Sequence, residues 1–466
     1  GGIVSSGPGD SPELLAEDIV RTGDGINNAR AVRLVAREGP RLLEEYLAEL
    51  VPFDRDDSGA FDWTREGGHS LRRILHRKDQ TGKAIQDALL ETLRREERVR
   101  FYPESIAVDL ITNTHNSSDP QQKYRKRSIV GAYVMQNEEI QPMFSPAVVL
   151  ATGGIGRIYL HSSNPPSATG DGIAMAYRAG CEIINAEYVQ FHPTTLFHRD
   201  AERFLITEAL RGEGARLMNR SGEYFMKRYH PQLRDLAPRD ETARAIYTEM
   251  DSSSGFVLLD ARGLKVNVPE RFPEIYRRCR ELDMDIEKEP FPVVPAAHYF
   301  CGGIKTNMNA AANIRGLYAV GESACTGLHG ANRLASMSLL EGLVFAVRAA
   351  GDIAKKERRL KAELIESIPG WVYPKEETDF DPLLIDHDIR NIQTTMWNYV
   401  GITRSRKRLN RALADLNYYS HRIEQFYKEA RASRNIIQLR NAVLTAGIVA
   451  RAAQANPVSQ GCHFWS

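Results

Sequence analysis

Six short strings in this 466-residue chain gather side chains that grip anions or move protons. They are T-R-E-G-G-H-S with Glu66, Q-F-H-P-T with His192, T-E-A-L-R-G-E-G-A opening on Thr207 and Glu208, L-A-P-R-D with Arg239, P-A-A-H-Y with His298, and H-G-A-N-R-L-A-S-M-S-L-L-E with Arg333. A guanidinium is the bidentate partner of a carboxylate. Arg333 stands between a glycine turn and an apolar helix, where a charge has little purely structural use. The other strings have plainer readings. A lone imidazole is most often a satisfied core histidine, which applies to His192 and His298. Arg239, between a proline and Asp240–Glu241, reads as a surface ion pair at a helix cap. Thr207 and Glu208 read as the capping-box start of a helix, and Glu66 as a residue of a polar loop.

An α/β frame is what would position such residues. The run S-P-A-V-V-L-A-T-G-G (Ser145 to Gly154) is a short, wholly apolar strand ending in a glycine turn, read as a buried parallel strand. G-L-Y-A-V-G-E (Gly316 to Glu322) repeats that punctuation. Two such strands suit a nucleotide-binding domain with its cofactor across their carboxyl ends. T-G-D-G with Asp171 opens a helix over 169–180. After Gly330, Ser336 and Ser338 begin a further apolar helix whose free N–H groups and positive end face whatever lies in front. An isoalloxazine, whose N1–C2=O edge gains negative charge on reduction, fits that position; a serine N-cap on a buried helix is the plainer reading.

The rest of the chain divides around these strands. Helices are expected over 11–50, with Ser11 as N-cap and Pro12 at N1, and over about 82–96. Strands are expected at Ser105–Thr112 and Ile129–Gln136, separated by a basic, solvated hairpin tip. From about 186 to 299 many Arg, Pro and Glu residues mark an inserted second domain. A Pro- and Asp-rich linker beyond 366 leads into long amphipathic patterns over 386–454, an antiparallel helical bundle.

Composition narrows the function classes. Hydrophobic residues make up 42% and charged ones 26%, and 61 basic against 60 acidic side chains leave a formal charge of +1. That balance offers no global attraction to nucleic acid or to anionic lipid, so small molecules or proteins are the expected partners. The five cysteines are scattered, with no C-x-x-C and no H-E-x-x-H, so neither a disulfide scaffold nor a metal site is expected. No apolar run is long enough to span a bilayer. Gly1-Gly2-Ile3-Val4 carries neither an initiator methionine nor a signal-peptide pattern and reads as entry part-way through a fold.

Taken together and in order, the six strings resemble the flavoprotein family of fumarate reductase and succinate dehydrogenase, over about residues 1–455, and within it most closely the branch that oxidises L-aspartate. The resemblance implies an FAD-binding Rossmann-like α/β domain over 1–185 and 300–365, an inserted α+β capping domain over 186–299, and a C-terminal helical bundle domain over 366–466. It implies a substrate dicarboxylate (L-aspartate, fumarate or succinate) held by His192, Thr207, His298 and Arg333, with Arg239 as proton shuttle and Glu208 beside it. Glu66 would answer the ammonium of aspartate, which succinate lacks. FAD would be held by Gly1, Gly2, Ala107, Thr152, Gly153, Gly154, Asp171, Glu322, Ser338 and Leu339, and no metal is needed. The implied reaction is oxidation of L-aspartate to iminoaspartate with reoxidation by dioxygen or fumarate, the entry to quinolinate and NAD synthesis. The implied setting is cytoplasmic, with quinolinate synthase as a possible associate. A fumarate reductase or succinate dehydrogenase subunit, and a non-catalytic chain, are the competing readings.

Two features depart from the family pattern. The chain opens at what resembles a later Q-G-G-I segment, without the strand and G-x-G-x-x-G turn that hold the FAD diphosphate, so weak FAD retention is expected of these 466 residues. The family's S-R-G-x-H string appears as Ser459-Gln460-Gly461-Cys462-His463, with Gln460 in place of arginine.

Overall fold

Ser11 begins the first helix as its sequence requires: its hydroxyl accepts from the Leu14 N–H at 3.2 Å, and Pro12 occupies the first turn of helix Pro12–Thr22. The computed structural model that shows this describes residues 1–199, 201–250, 255–374 and 381–466, so residues 375–380 of the expected linker lie outside the described residues. Helix Ala29–Tyr46 buries Ala31, Val32, Val35, Ala36, Leu42 and Leu43, a stripe at helical spacing, against Leu340, Val344 and Phe345 of helix Met337–Lys356. Gly39 lies at that crossing. A Cβ there would come within 2.7 Å of Leu340, so the two helices approach this closely only over glycine.

The strands ending in glycine do pair in parallel, Leu317–Ala319 with Val148–Leu150, which sets Thr152–Gly154 beside Gly321–Glu322. The expectation that the first of them is wholly buried needs correction. Val149 is 43% exposed and Val148 half-buried, because this sheet has two strands and no described strand covers the far edge of Val148–Leu150. Strands Ile106–Thr112 and Ile129–Gln136 form as expected and are joined by a third, Glu139–Phe144, whose charged and proline-containing E-I-Q-P-M-F gave little strand signal. The basic segment between the first two is not a bare hairpin tip: it carries helix Asn113–Asn116 and a 3₁₀ turn at Pro120–Tyr124, with Tyr124 fully in solvent. The linker packs on this sheet, Trp371 edge-on to Tyr133 at 5.3 Å and the Tyr133 hydroxyl donating to the Pro369 carbonyl at 2.9 Å.

All five strands of the largest sheet come from residues 189–300, in the order Arg216–Met218, Val257–Asp260, Phe291–Phe300, Val189–Leu196, Phe204–Leu205, every neighbour antiparallel. Its two central strands carry His298 and His192. Their register slips twice, between Val294/Ala296 and between Ala297/Tyr299, and Pro193, which has no N–H to donate, sits at the first slip. Every residue of Val189–Leu196 is buried, so any polar side chain on it must find a partner or a ligand.

Helices Pro382–Val400, Arg406–Glu429 and Arg434–Ala455 start on Asp381, Ser405 and Ser433, each accepting from a first-turn N–H. Arg434–Ala455 is the most deeply buried and packs on helix Asp171–Ala179. Among the described residues no helix is long and apolar enough to cross a membrane.

Two imidazoles sit where this helical block meets the remainder. His161 lies edge-on to Trp397 at 4.6 Å, and burial followed by the charge of Arg203 pushes it down to about 3. His463 accepts from Arg404 at 2.6 Å and donates to the Asn456 carbonyl at 2.7 Å, and burial followed by Arg404 holds it at about 4. Both pKa values lie below the unfolded 6.5, so the unfolded chain binds more protons between them. Their stabilisation is present above 6.5 and is lost as pH falls, at about 1.4 kcal/mol per pH unit for each ring. The unfolded rings are half protonated at pH 6.5, so the two together lose about 2 kcal/mol between pH 6.5 and 5.5, and the unfolding midpoint should drop by at least about 2 degrees. A midpoint that stays flat over that interval in a thermal melt would contradict the neutral, buried state of both rings.

Candidate active site

Gln190 is the centre of the constellation. Its Oε1 accepts from Arg333 at 3.0 Å and from Arg239 at 3.3 Å, and its Nε2 donates to the Asn332 side chain at 2.6 Å and to the Arg333 carbonyl at 2.9 Å. One buried amide thus spaces two guanidiniums. Arg239, at the start of helix Arg239–Glu249, also gives its Nε to Glu208 at 2.8 Å. Glu208 follows Thr207, whose hydroxyl caps a one-turn helix. The other Glu208 oxygen accepts from the Gly67 N–H at 3.0 Å, which ties the Glu66 loop to the arginine pair. Glu66 itself is buried and accepts from the Ser336 hydroxyl at 2.8 Å. Ser336 holds a left-handed backbone, φ 58°, ahead of helix Met337–Lys356, an uncommon conformation that aims its oxygen at both Glu66 and the Gly2 N–H.

The imidazoles are oriented from behind. His192 Nδ1 sits 3.0 Å from the Thr194 carbonyl and His298 Nδ1 2.8 Å from the Ser163 hydroxyl, with the rings 5.1 Å apart. Burial, then the charges of Arg239, His298 and Arg211, hold His192 well below its ordinary range. Burial, then Arg333 and Arg239, do the same to His298. Both are therefore neutral, and each Nε2 remains available to a ligand. Burial alone would raise Glu208, but Arg239 and Arg211 outweigh it and hold the carboxyl at about 2. The guanidinium cluster thus favours anions, and one carboxylate within it is charged at rest. Arg333 Nε and two nitrogens of Arg211 are buried without a protein partner, an arrangement native proteins avoid unless something else binds there.

A cavity of about 1220 Å³ opens onto the arginine and carboxylate side of this group, lined by Glu66, Glu208, Arg239 and Arg333 and walled by the tail at Ser459, Gln460, Gly461 and Phe464; His192, Thr207 and His298 are not among its lining residues. The tail is held although Gln460 replaces an arginine. Gln460 donates to the Asp24 carbonyl at 3.2 Å and accepts from the Tyr188 hydroxyl at 3.5 Å, and His463 is anchored by Arg404.

The residues proposed for FAD fall into groups. Thr152, Gly153, Gly154 and Glu322 converge at the ends of the parallel pair. A Cβ on Gly154 would meet Glu322 Oε1 at 2.1 Å, whereas Gly153, at φ +74°, faces open space. Burial pushes the Glu322 carboxyl up to about 7. Asp171 opens the helix that touches Thr152, since a Cβ on Gly172 would lie 2.1 Å from the Thr152 hydroxyl, but its carboxylate is engaged by Thr169 and Asn441. Ser338 accepts from Arg333, and Leu339, on an otherwise inward helix turn, is 39% exposed. The Gly1 carbonyl accepts from Thr81, and Gly2 packs against the Leu75 backbone. Ala107 stands on strand Ile106–Thr112 and contributes to packing under the C-terminal helices. Open glycine backbone, an exposed apolar side chain at a long helix start and an uncharged-prone carboxyl fit a planar, polar-edged ring system. Gln190, Arg211 and Asn332 were not distinguished by type and spacing, although each lies inside one of the six strings.

Comparison with known proteins agrees with this geometry. The FAD binding domain family matches residues 2–339, and the fumarate reductase flavoprotein C-terminal family matches 389–466. The chain is 41% identical to the L-aspartate oxidase of Pseudomonas aeruginosa, over 98% of this chain and 85% of that protein. It is 40% identical to that of Halobacterium salinarum, over 100% and 88%. A chain of Escherichia coli quinol fumarate reductase superposes with a TM-score of 0.87 at 27% identity, covering 100% of this chain and 83% of that one. A buried two-arginine, two-histidine cluster over a glycine-ended strand pair, carried by a sequence this similar, places the chain in the L-aspartate oxidase branch of the fumarate reductase and succinate dehydrogenase flavoprotein family.

Proposed function

We propose that this chain is an FAD-dependent oxidase that converts L-aspartate to iminoaspartate, with dioxygen or fumarate taking up the electrons, at the first step of quinolinate and NAD synthesis. The observation that carries the reading is the pairing of a dicarboxylate clamp with a buried carboxylate at its edge, Glu66, with which no arginine or lysine side chain among the described residues pairs. Arg333, with its Nε unpartnered, and the neutral His298 and His192 hold the substrate carboxylates, and Thr207 donates to one of them. Glu66 meets the ammonium. Bound FAD supplies the two-electron chemistry. What the chain supplies is orientation and charge, which makes the encounter effectively intramolecular. Arg239 holds the proton at the substrate carbon in the fumarate direction and exchanges it with Glu208, bonded at 2.8 Å. Thr152, Gly153, Gly154, Asp171, Glu322, Ser338, Leu339, Ala107, Gly1 and Gly2 form the cofactor side, within a division into FAD-binding (1–185, 300–365), capping (186–299) and C-terminal helical (366–466) parts. A cytoplasmic setting and association with quinolinate synthase belong to the same reading.

The test uses the purified, FAD-loaded protein under anaerobic conditions. L-aspartate should bleach its yellow absorption and fumarate should restore it. Bleaching by succinate but not by aspartate would instead favour a succinate dehydrogenase-type subunit, and no response to either would favour a non-catalytic chain.

A further inference from the structure

Behind Arg333 lies a buried polar network with no role in the reaction described above. Glu341, on helix Met337–Lys356, is 1% exposed. It accepts from the Thr326 hydroxyl at 2.6 Å, from His329 Nε2 at 2.8 Å and from the Tyr299 hydroxyl at 3.2 Å. Burial works against its charge, but His329 and these donors hold its pKa below the usual carboxylate value. With His329 Nε2–H donating to Glu341, the 3.1 Å approach of Tyr299 to that nitrogen is contact, and the phenol O–H donates to the carboxylate. Tyr299 follows His298 on strand Phe291–Phe300, and its ring face carries the Arg333 guanidinium at 4.5 Å.

This is more than packing suggests. A phenol donating to a carboxylate acquires partial phenolate character, which makes its ring face more negative and strengthens its hold on a cation. Among the described residues, the Arg333 guanidinium is otherwise held by Gln190 and by a 3.3 Å bond to Ser338, and its Nε has no protein partner. Ring and amide together set the plane in which the free edge of Arg333 meets a carboxylate.

We propose that Tyr299 and Glu341 are positioning residues for the substrate carboxylate: Glu341, through the Tyr299 hydroxyl, fixes and polarises the aromatic platform on which Arg333 lies. The proposal rests on the dicarboxylate reading. It accounts for a carboxylate buried with three donors in a helix that otherwise turns apolar side chains inward.

The experiment measures succinate binding to the FAD-loaded protein by the change it causes in flavin absorption, together with aspartate KM and kcat, for wild type, Tyr299→Phe, Glu341→Gln, the double variant and Tyr299→Leu. Tyr299→Phe keeps the ring but loses its anchor. It should weaken succinate binding and raise KM about 3- to 10-fold with kcat within about twofold. Glu341→Gln should act in the same direction and by a similar factor. The double variant should be no worse than the larger single, because both remove one linkage. Tyr299→Leu, which removes the platform, should cost about 30-fold or more. Only flavin-loaded protein gives the signal, so loss of cofactor or fold cannot imitate this pattern. Unchanged binding in Tyr299→Phe, additive effects in the double variant, or a fall in kcat at constant KM would each overturn the proposal. Failure of wild type to bind succinate at all would overturn the dicarboxylate reading itself, which separates the two failures.

Discussion

Replacing Arg239 with lysine should lower the rate of fumarate reduction by about 10²- to 10⁴-fold while leaving dicarboxylate binding nearly intact. Arg239 spends one nitrogen on Glu208 at 2.8 Å and another on Gln190 at 3.3 Å, and the planar fork still has donors left for the cavity. A lysine ammonium is one point charge on a flexible stem. It can satisfy Glu208 or reach the substrate, but it cannot bridge the two in fixed geometry. Binding should survive because Arg333 and the histidines do not depend on it, although Gln190 loses one of its two guanidinium partners. The decisive measurement is a steady-state comparison of kcat and KM for fumarate with a reduced dye as donor. A lysine variant that reduces fumarate at the wild-type rate would remove Arg239 from proton delivery.

Glu66→Gln should raise the KM for aspartate about 10- to 100-fold and leave succinate and fumarate bound as well as before, or better. Both substrate types carry two carboxylates, so the clamp we propose, His192, Thr207, His298 and Arg333, would not separate them. Only the α-ammonium differs. In a pocket lined by Arg239 and Arg333, a cation is repelled unless an anion faces it. Of the carboxylates that line the cavity, Glu208 is paired with Arg239 and Asp240 with Arg244, whereas buried Glu66 has, among the described residues, the Ser336 hydroxyl at 2.8 Å and the chain's first nitrogen at 3.9 Å beside it. Its charge-assisted bond to the ammonium is worth about 1–3 kcal/mol. Glutamine keeps the shape and the Ser336 contact, so a change confined to aspartate is an electrostatic one. Equal losses for aspartate and fumarate would make Glu66 a structural loop residue.

Much of this site is legible in the linear chain because each string is a local unit. Glycine turns end strands, Thr207 and Pro238 start helices, and the spacing within Q-F-H-P-T or P-A-A-H-Y is preserved along one strand whatever the rest of the fold does. The helix start at Pro12 was readable for the same reason, since a cap depends on neighbours two or three residues away. Other features were not local and were misjudged or invisible. The exposure of Val149 depends on which strands lie beside it, and the strand Glu139–Phe144 forms only because Ile129–Gln136 offers it an edge.

The linear order of residues therefore set the chemistry on offer: arginines suited to carboxylates, two lone histidines, and two glycine-ended strands that suit a nucleotide cofactor. Only the tertiary structure decided how those groups are used. Gln190 reaches Arg333 across 143 positions, Glu66 reaches Ser336 across 270, and Gly67 reaches Glu208 across 141. Folding also buries the imidazoles beside Arg239 and Arg333, which favours their neutral form, sets Arg239 and Arg211 beside Glu208, which favours its charge, and leaves Arg333 Nε without a protein partner. The physical reason is that a side chain's type is a property of one residue, whereas its charge state and direction are set by burial and by the field of neighbours that the chain brings close only by folding.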